Sequence, residues 1–155
     1  MSYYPIMLEM AARRCLIVGG GEVATRKAQK LSEAGADVTV IAPEIDPRIR
    51  RISGVSVFER VFQRGDTGGF SLVFVATGDP SVNAVVAREA GDNGIWVNSA
   101  DDPDRCTFIA PAVVERGALM IAVSTSGRSP ALSSRIRKQI QQTYGPEYGD
   151  RKSVV

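Results

Sequence analysis

The sequence contains no histidine. That removes imidazole acid–base catalysis, histidine-centred triads and His-ligated metal sites, leaving carboxylates, hydroxyls or a bound cofactor for any chemistry. Cysteine is almost as scarce. Cys15 and Cys106 are too few and too far apart for a disulfide framework or a metal-ligand spacing, so both are read as reduced packing thiols and no metal site is expected. Long apolar runs are missing as well. The most apolar stretches, Leu72–Ala76 and Leu119–Val123, have the length of strands rather than of a membrane span, and the first residues show no cationic stretch leading into an apolar one. The expectation is a cytoplasmic protein without membrane association. A strong charge of one sign is absent too. Nineteen Lys and Arg oppose 17 Asp and Glu, a formal net charge of +2, which gives no electrostatic reason to expect a nucleic-acid partner.

What is present is the composition of an ordinary globular domain: 155 residues, 44% hydrophobic and 23% charged, enough for one core without staples. Cys15–Val18 is a short apolar run that reads as a strand buried on both faces. It breaks into three glycines, after which Val23, Ala24, Ala28 and Leu31 recur at helical spacing up to a stop at Gly35. Ala36–Ala42 supplies a second strand, ended by Pro43, and completes a βαβ unit. Val55–Glu59, Ser71–Ala76 and Ile95–Asn98 read as further strands, with a helix opened by Pro80 and ended at Gly94 between the last two. This alternation predicts an α/β fold, Rossmann-like and doubly wound, with a mainly parallel sheet and helices on both faces.

Beyond about residue 105 the pattern changes. Two β-rich segments, Cys106–Val114 and Ala118–Thr125, are joined at Glu115-Arg116-Gly117 as a hairpin, and a helix opened by Pro130 carries Leu132, Ile136 and Ile140 on one face. The chain is thus expected to divide into a nucleotide-binding domain over 1–112 and a hairpin-plus-helix region over 113–155.

Gly19-Gly20-Gly21-Glu22-Val23-Ala24 fits the pattern G-x-G-x-x-G/A: Gly19 for the tight turn, Gly21 for close backbone approach, Ala24 for helix–sheet packing. Placed between a buried strand and a helix, such a loop turns its main-chain N–H groups and the positive helix end toward a pyrophosphate. A bound dinucleotide is therefore expected. The acidic residue usual at the end of the second strand is missing, since Ile41-Ala42-Pro43 stands there, and Glu44 is the nearest carboxylate for a ribose. No arginine directly follows that strand to receive a 2′-phosphate, which favours NAD over NADP. In a doubly wound sheet, ligands lie beyond the carboxyl ends of the strands, so Ala76-Thr77-Gly78-Asp79 and Asn98–Pro103 should face the reactive end of the cofactor. Without histidine, Asp101 and Asp102 are the candidates for proton handling.

Several segments together resemble the precorrin-2 dehydrogenases, the dehydrogenase and ferrochelatase module of sirohaem synthesis. They are Tyr4-Pro-Ile, the run from Cys15 to Ala28, Leu31 to Val40 with its Glu-Ala-Gly-Ala, Val75-Ala-Thr-Gly-Asp-Pro-Ser-Val-Asn, Trp96-Val-Asn-Ser-Ala-Asp-Asp-Pro, Phe108-Ile-Ala-Pro-Ala and Leu119 to Leu132. The likeness runs in order over residues 4–145. It is most specific from Val97 to Pro103 and in the Ser126-Gly-Arg-Ser-Pro loop. It implies NAD-dependent oxidation of precorrin-2 to sirohydrochlorin, Fe2+ as a further substrate in bifunctional members, and a homodimer interlocked through the C-terminal portion. It also carries the family's key aspartate onto Asp101, its nucleotide contacts onto Glu22, Val23, Pro43 and Glu44, and a serine phosphorylated in some relatives onto Thr125. A tetrapyrrole bearing many carboxylates asks for basic side chains near the cleft. Arg105, Arg128 and Arg135 flank the two specific loops. Asn98, Arg105, Ser126, Arg128 and Ser129 are accordingly the expected substrate contacts. The sequence closes soon after the expected last helix, which puts dehydrogenation ahead of iron insertion as the expected activity. Two other readings remain open: a non-catalytic NAD(H) sensor, and an NAD-binding dimerisation module that has lost its substrate wall.

Overall fold

The computed structural model describes residues 3–100 and 102–149. The chain forms two compact units, one of Pro5–Phe108 and one that joins the residues up to Tyr4 to those from Ile109 onward. The first is built on β1 (Arg14–Val18), whose residues from Cys15 onward are buried. It pairs in parallel with β2 (Asp37–Ala42) on one side and β4 (Leu72–Val75) on the other. β3 (Val55–Glu59) extends the sheet beyond β2, and β5 (Trp96–Ser99) extends it beyond β4, giving the order β3-β2-β1-β4-β5.

Alternation along β1 assigns its side chains to two cores. Cys15 and Ile17 pack with Ala24 and Ala28 of α1 (Glu22–Glu33), whereas Leu16 and Val18 pack with Val86, Ala87 and Ala90 of α2 (Pro80–Asp92). The sheet is therefore covered on both faces, which is why its central strands read as unbroken apolar runs. Fully burying a side chain such as Leu16 or Ile17 contributes roughly 1.5–3 kcal/mol. The winding reverses between β1 and β4, so the connections leaving their carboxyl ends diverge and open a crevice there.

Both helices start and stop where their sequences direct. α2 has Pro80 in its first turn and Asp79 as N-cap, whose carboxylate accepts from the Ser81 and Val82 amides. α1 ends at Ala34, followed by Gly35 in a left-handed conformation with φ of 83°. Glu89, in the last turns of α2, straps down the loop ahead of β4. Its carboxylate accepts from the Gly65 amide at 3.0 Å and from the buried Thr67 through both its amide and its hydroxyl.

One expected strand is largely absent. The stretch Cys106–Val114 instead follows a 3-10 turn at Pro103–Arg105 and stays irregular until β6 (Ala112–Arg116). Pro103 and Pro111 bring no N–H group to a ladder. Between them Thr107 lines the edge of β5, its amide donating to the Val97 carbonyl and its hydroxyl accepting from the Val97 amide. Phe108 packs edge-on against Phe74, with ring centroids 5.5 Å apart.

The second unit contains β6, β7 (Leu119–Val123) and α3 (Pro130–Thr143). The two strands are antiparallel, and Arg116 pairs with Leu119, so the turn is the two residues Gly117-Ala118 rather than the expected Glu115–Gly117. The Arg116 guanidinium donates to the Tyr144 and Gln141 carbonyls at the end of α3, satisfying groups the helix leaves free. Val114 and Ser133 are buried in this unit, while Met120 and Leu132 are exposed. Among the described residues no helix is long and apolar enough to cross a membrane.

Candidate functional site

The crevice at the carboxyl ends of β1, β2 and β4 is shaped by the three glycines, each in a different way. The Gly19 amide donates to the Ile41 carbonyl, Ala76 donates back to Val18, and Asp46 donates to the Gly20 carbonyl at 2.8 Å. These bonds draw the bend tightly against its neighbours. A Cβ on Gly19, whose φ is 127°, would overlap the Ala76 carbonyl, and one on Gly20 would overlap the Glu44 carbonyl. A Cβ on Gly21 would meet nothing within 4 Å. The close approach expected at Gly21 is thus an approach to open space, where a ligand's backbone contact would lie.

Gly20 is the residue that sequence reasoning passed over. It stands at a free position of the motif, and its constraint comes from the main chain after β2.

Gly21 is also the N-cap of α1 and offers no side chain to the first-turn amides. Those N–H groups, with the helix dipole behind them, are the anion-binding end of the crevice. Beside it, Gly20, Gly21, Glu44, Ile45 and Asp46 line a pocket of about 340 Å³. Glu22, Val23, Pro43, Glu44, Ala76 and Thr77 all belong to the loops and helix start around this crevice. Thr77 closes its own loop: its hydroxyl donates to Asn83 and accepts from the Asp79 amide. The Asp79 carboxylate is held below the usual range by the hydroxyl and amide of Ser81 and the amide of Val82. The residues present fit a dinucleotide.

A second cluster lies at the end of β5, around Asn98. Lys27 of α1 lies over the Phe74 ring and donates to Asn98 Oδ1 at 3.1 Å. Burial pushes its ammonium pKa down. The Asn98 amide nitrogen in turn donates to the Phe108 carbonyl, so this side chain, expected to meet substrate, is engaged on both sides by protein. Cys106 joins the cluster by accepting from the Ser99 amide, its single S–H lying within reach of the Ser99 and Asp102 carbonyls at 3.4 Å each. The signal for Lys27 was weak, since a lysine on a helix face reads as solvated.

Other expected site residues lie elsewhere. Asp101 is outside the described residues. Arg105 pairs with Asp102 at 2.7 Å and reaches the Ala84 carbonyl, on a groove of about 560 Å³ along the outside of α2 that Arg64 and Arg88 also line. Ser126, Arg128 and Ser129 belong to the second unit. There Ser129 caps α3 by accepting from Leu132, its carbonyl accepts from the half-buried Thr125 hydroxyl, and Arg128 is exposed.

Strand order, the glycine bend and the uncapped helix start define a dinucleotide-binding domain of the doubly wound class. A family model described as "Putative NAD(P)-binding" matches residues 6–112, and one described as "Sirohaem biosynthesis protein central" matches 116–143. A solved structure titled "SirC, precorrin-2 dehydrogenase" is 31% identical with a TM-score of 0.81, covering 95% of this chain and 74% of that one. The chain belongs to the precorrin-2 dehydrogenase family of sirohaem biosynthesis. Siroheme synthases are similar as well: that of Methylococcus capsulatus is 43% identical over 152 residues, and that of Azotobacter vinelandii 40% over 152, each over 96% of this chain. The chain spans about a third of the length of these relatives, 32% and 33% respectively.

Proposed function

We propose that this protein catalyses the NAD-dependent dehydrogenation of precorrin-2 to sirohydrochlorin. The observation that carries the reading is the glycine bend, packed shut at Gly19 and Gly20 and open at Gly21 in front of an uncapped helix, in a chain similar over 95% of its length to a precorrin-2 dehydrogenase. When bound, NAD supplies the hydride acceptor. The chain's own residues bind and orient. Gly21, Glu22 and Val23 receive the pyrophosphate through main-chain N–H groups at the bend that Gly19 shapes, its own amide being taken by the Ile41 carbonyl. Pro43 and Glu44 hold the adenosine ribose, and Ala76 and Thr77 border the path to the reactive end.

Oxidation removes a hydride and a proton from the substrate and leaves a new double bond. With no histidine in the chain, Asp101 is the group that takes the proton. Lys27 and Asn98 fix the strand end from which Asp101 follows. The exposed Arg128 is the group offered to the substrate's carboxylates, whereas the Ser126 and Ser129 amides already donate to the Ser124 and Thr125 hydroxyls and Arg105 is paired with Asp102. The region from 113 onward acts in a homodimer, which its exposed Met120 and Leu132 favour. Fe2+ is a further substrate, inserted once sirohydrochlorin has formed. The unpaired Cys15 and Cys106 suit a cytoplasmic setting.

The test is an anaerobic assay with precorrin-2 and NAD, followed by Fe2+. NADH formation with a sirohydrochlorin spectrum is expected, and later sirohaem absorption reports chelation. Asp101→Asn should bind NAD yet form NADH ~100-fold more slowly. Undiminished NADH formation by that variant would remove Asp101 from the mechanism, and nucleotide binding without turnover in the unaltered protein would favour a sensor.

A further inference from the structure

Beside the nucleotide pocket, Arg48 is gripped by two carboxylates. Its Nε lies 3.0 and 3.1 Å from the two Asp46 oxygens, and one terminal nitrogen lies 2.6 Å from Asp46 Oδ2 and 2.5 Å from Glu22 Oε2. The Arg48 main-chain amide also donates to Asp46, closing a local turn. Asp46 is the least exposed member, its side chain 20% exposed, and it lines the pocket along with Glu44. Its backbone amide holds the Gly20 carbonyl, which ties the triad to the bend itself.

We propose that the Glu22–Arg48–Asp46 triad selects NAD over NADP, a reading that rests on the dinucleotide function above. The triad carries one positive and two negative charges, and Glu44 lines the same pocket as Asp46. A ribose 2′-hydroxyl can donate to such carboxylates. A 2′-phosphate is an acceptor with negative charge of its own, and meets repulsion there. A guanidinium that would reward it is nearby, yet Arg48 is already engaged with both carboxylates, and turning it to a phosphate would strip Asp46 of its partner. The hydrogen bonds from Arg48 hold the Asp46 carboxyl down at about 2. Arg48 is therefore a latent phosphate receptor held shut by its neighbours, which its distance along the chain from β2 concealed.

The test compares equilibrium affinities for NAD+ and NADP+, by calorimetry, in the full chain and in three variants. The unaltered protein should prefer NAD+. Asp46→Asn with Glu22→Gln keeps side-chain shape and the Asp46 main-chain bond, and should raise the NADP+ to NAD+ affinity ratio ~10-fold or more by freeing Arg48. Adding Arg48→Ala to that pair should abolish the gain. Arg48→Ala alone bares the carboxylates and should lower the ratio several-fold, which keeps the test decisive if the double variant fails to fold. Equal or tighter NADP+ binding by the unaltered protein overturns the triad's role, as does an unmoved ratio in variants that still bind NAD+; both leave the dinucleotide function standing. Binding of neither nucleotide by the unaltered protein removes that function and the triad's role with it.

Discussion

Alanine at Gly20 and alanine at Gly21 should have opposite consequences, although the two glycines are adjacent. At Gly20 the new methyl overlaps the Glu44 carbonyl and presses on Ala42 Cβ at 3.0 Å. The bend and the chain after β2 must separate by ~1.5 Å before ordinary contact distances return. That movement loosens the bond from Asp46 to the Gly20 carbonyl. Overpacking of this kind costs about 1–3 kcal/mol, and the weakened hydrogen bond adds about 1 kcal/mol. Gly20→Ala should therefore lose ~2–4 kcal/mol, lowering the melting temperature by roughly 4–16 °C for a chain of this size. At Gly21 the backbone is extended, with φ of −91°, and the added methyl meets open space. The entropy gained by removing a glycine and the poorer N-cap offset each other to within ~1 kcal/mol. The methyl does occupy the approach of the pyrophosphate, so NAD affinity should fall ~30-fold or more, about 2 kcal/mol. Urea denaturation and NAD titration on both variants decide the matter. A Gly20→Ala protein that melts like the parent would refute the close packing of the bend, and a Gly21→Ala protein that binds NAD as the parent does would refute the path assigned to the pyrophosphate.

Three further outcomes can be checked by urea denaturation across pH. Burial lowers the Lys27 pKa from 10.5, so the unfolded chain binds more protons in the window below 10.5 and stability should rise with pH across it. Lys27→Met should flatten that rise, and an unchanged slope would count against a buried ammonium. Cys15 runs the other way. Burial raises its thiol from 9.0 to about 11, so its contribution is intact below pH 9 and is lost as pH climbs toward 11; Cys15→Ala should remove that loss. Glu89 resists ionisation by its burial, but the bonds from Thr67 and Gly65 outweigh this and lower its pKa from 4.5. Glu89→Ala should cost ~2–3 kcal/mol at neutral pH, and the difference from the parent should shrink as pH falls below 4.5 and through the lowered native value.

The nucleotide crevice was legible in the sequence because its signals are local. A buried strand, a glycine bend and a helix follow one another within twenty residues, and Pro80 and Gly94 bracket α2 in the same way. What escaped were contacts made by register. Gly20 is constrained by Glu44, Lys27 by Asn98 and Arg48 by Glu22, pairs that become neighbours only when parallel strands bring their carboxyl ends level. The stretch after Cys106 misled for a related reason. It is rich in apolar and β-branched residues, as a strand is, but Phe108 serves the packing over Phe74 and Thr107 serves the edge of β5, while the flanking prolines deny it a ladder.

The three main-chain bonds that brace the glycine bend also govern how association behaves thermodynamically. Because the receptor's backbone is fastened before any guest arrives, little of the intrinsic affinity is spent on ordering it. Amides at Gly19, Asp46 and Ala76 should exchange slowly with deuterium in the empty protein, and saturation with nucleotide should leave their protection rising only in step with the overall gain in stability.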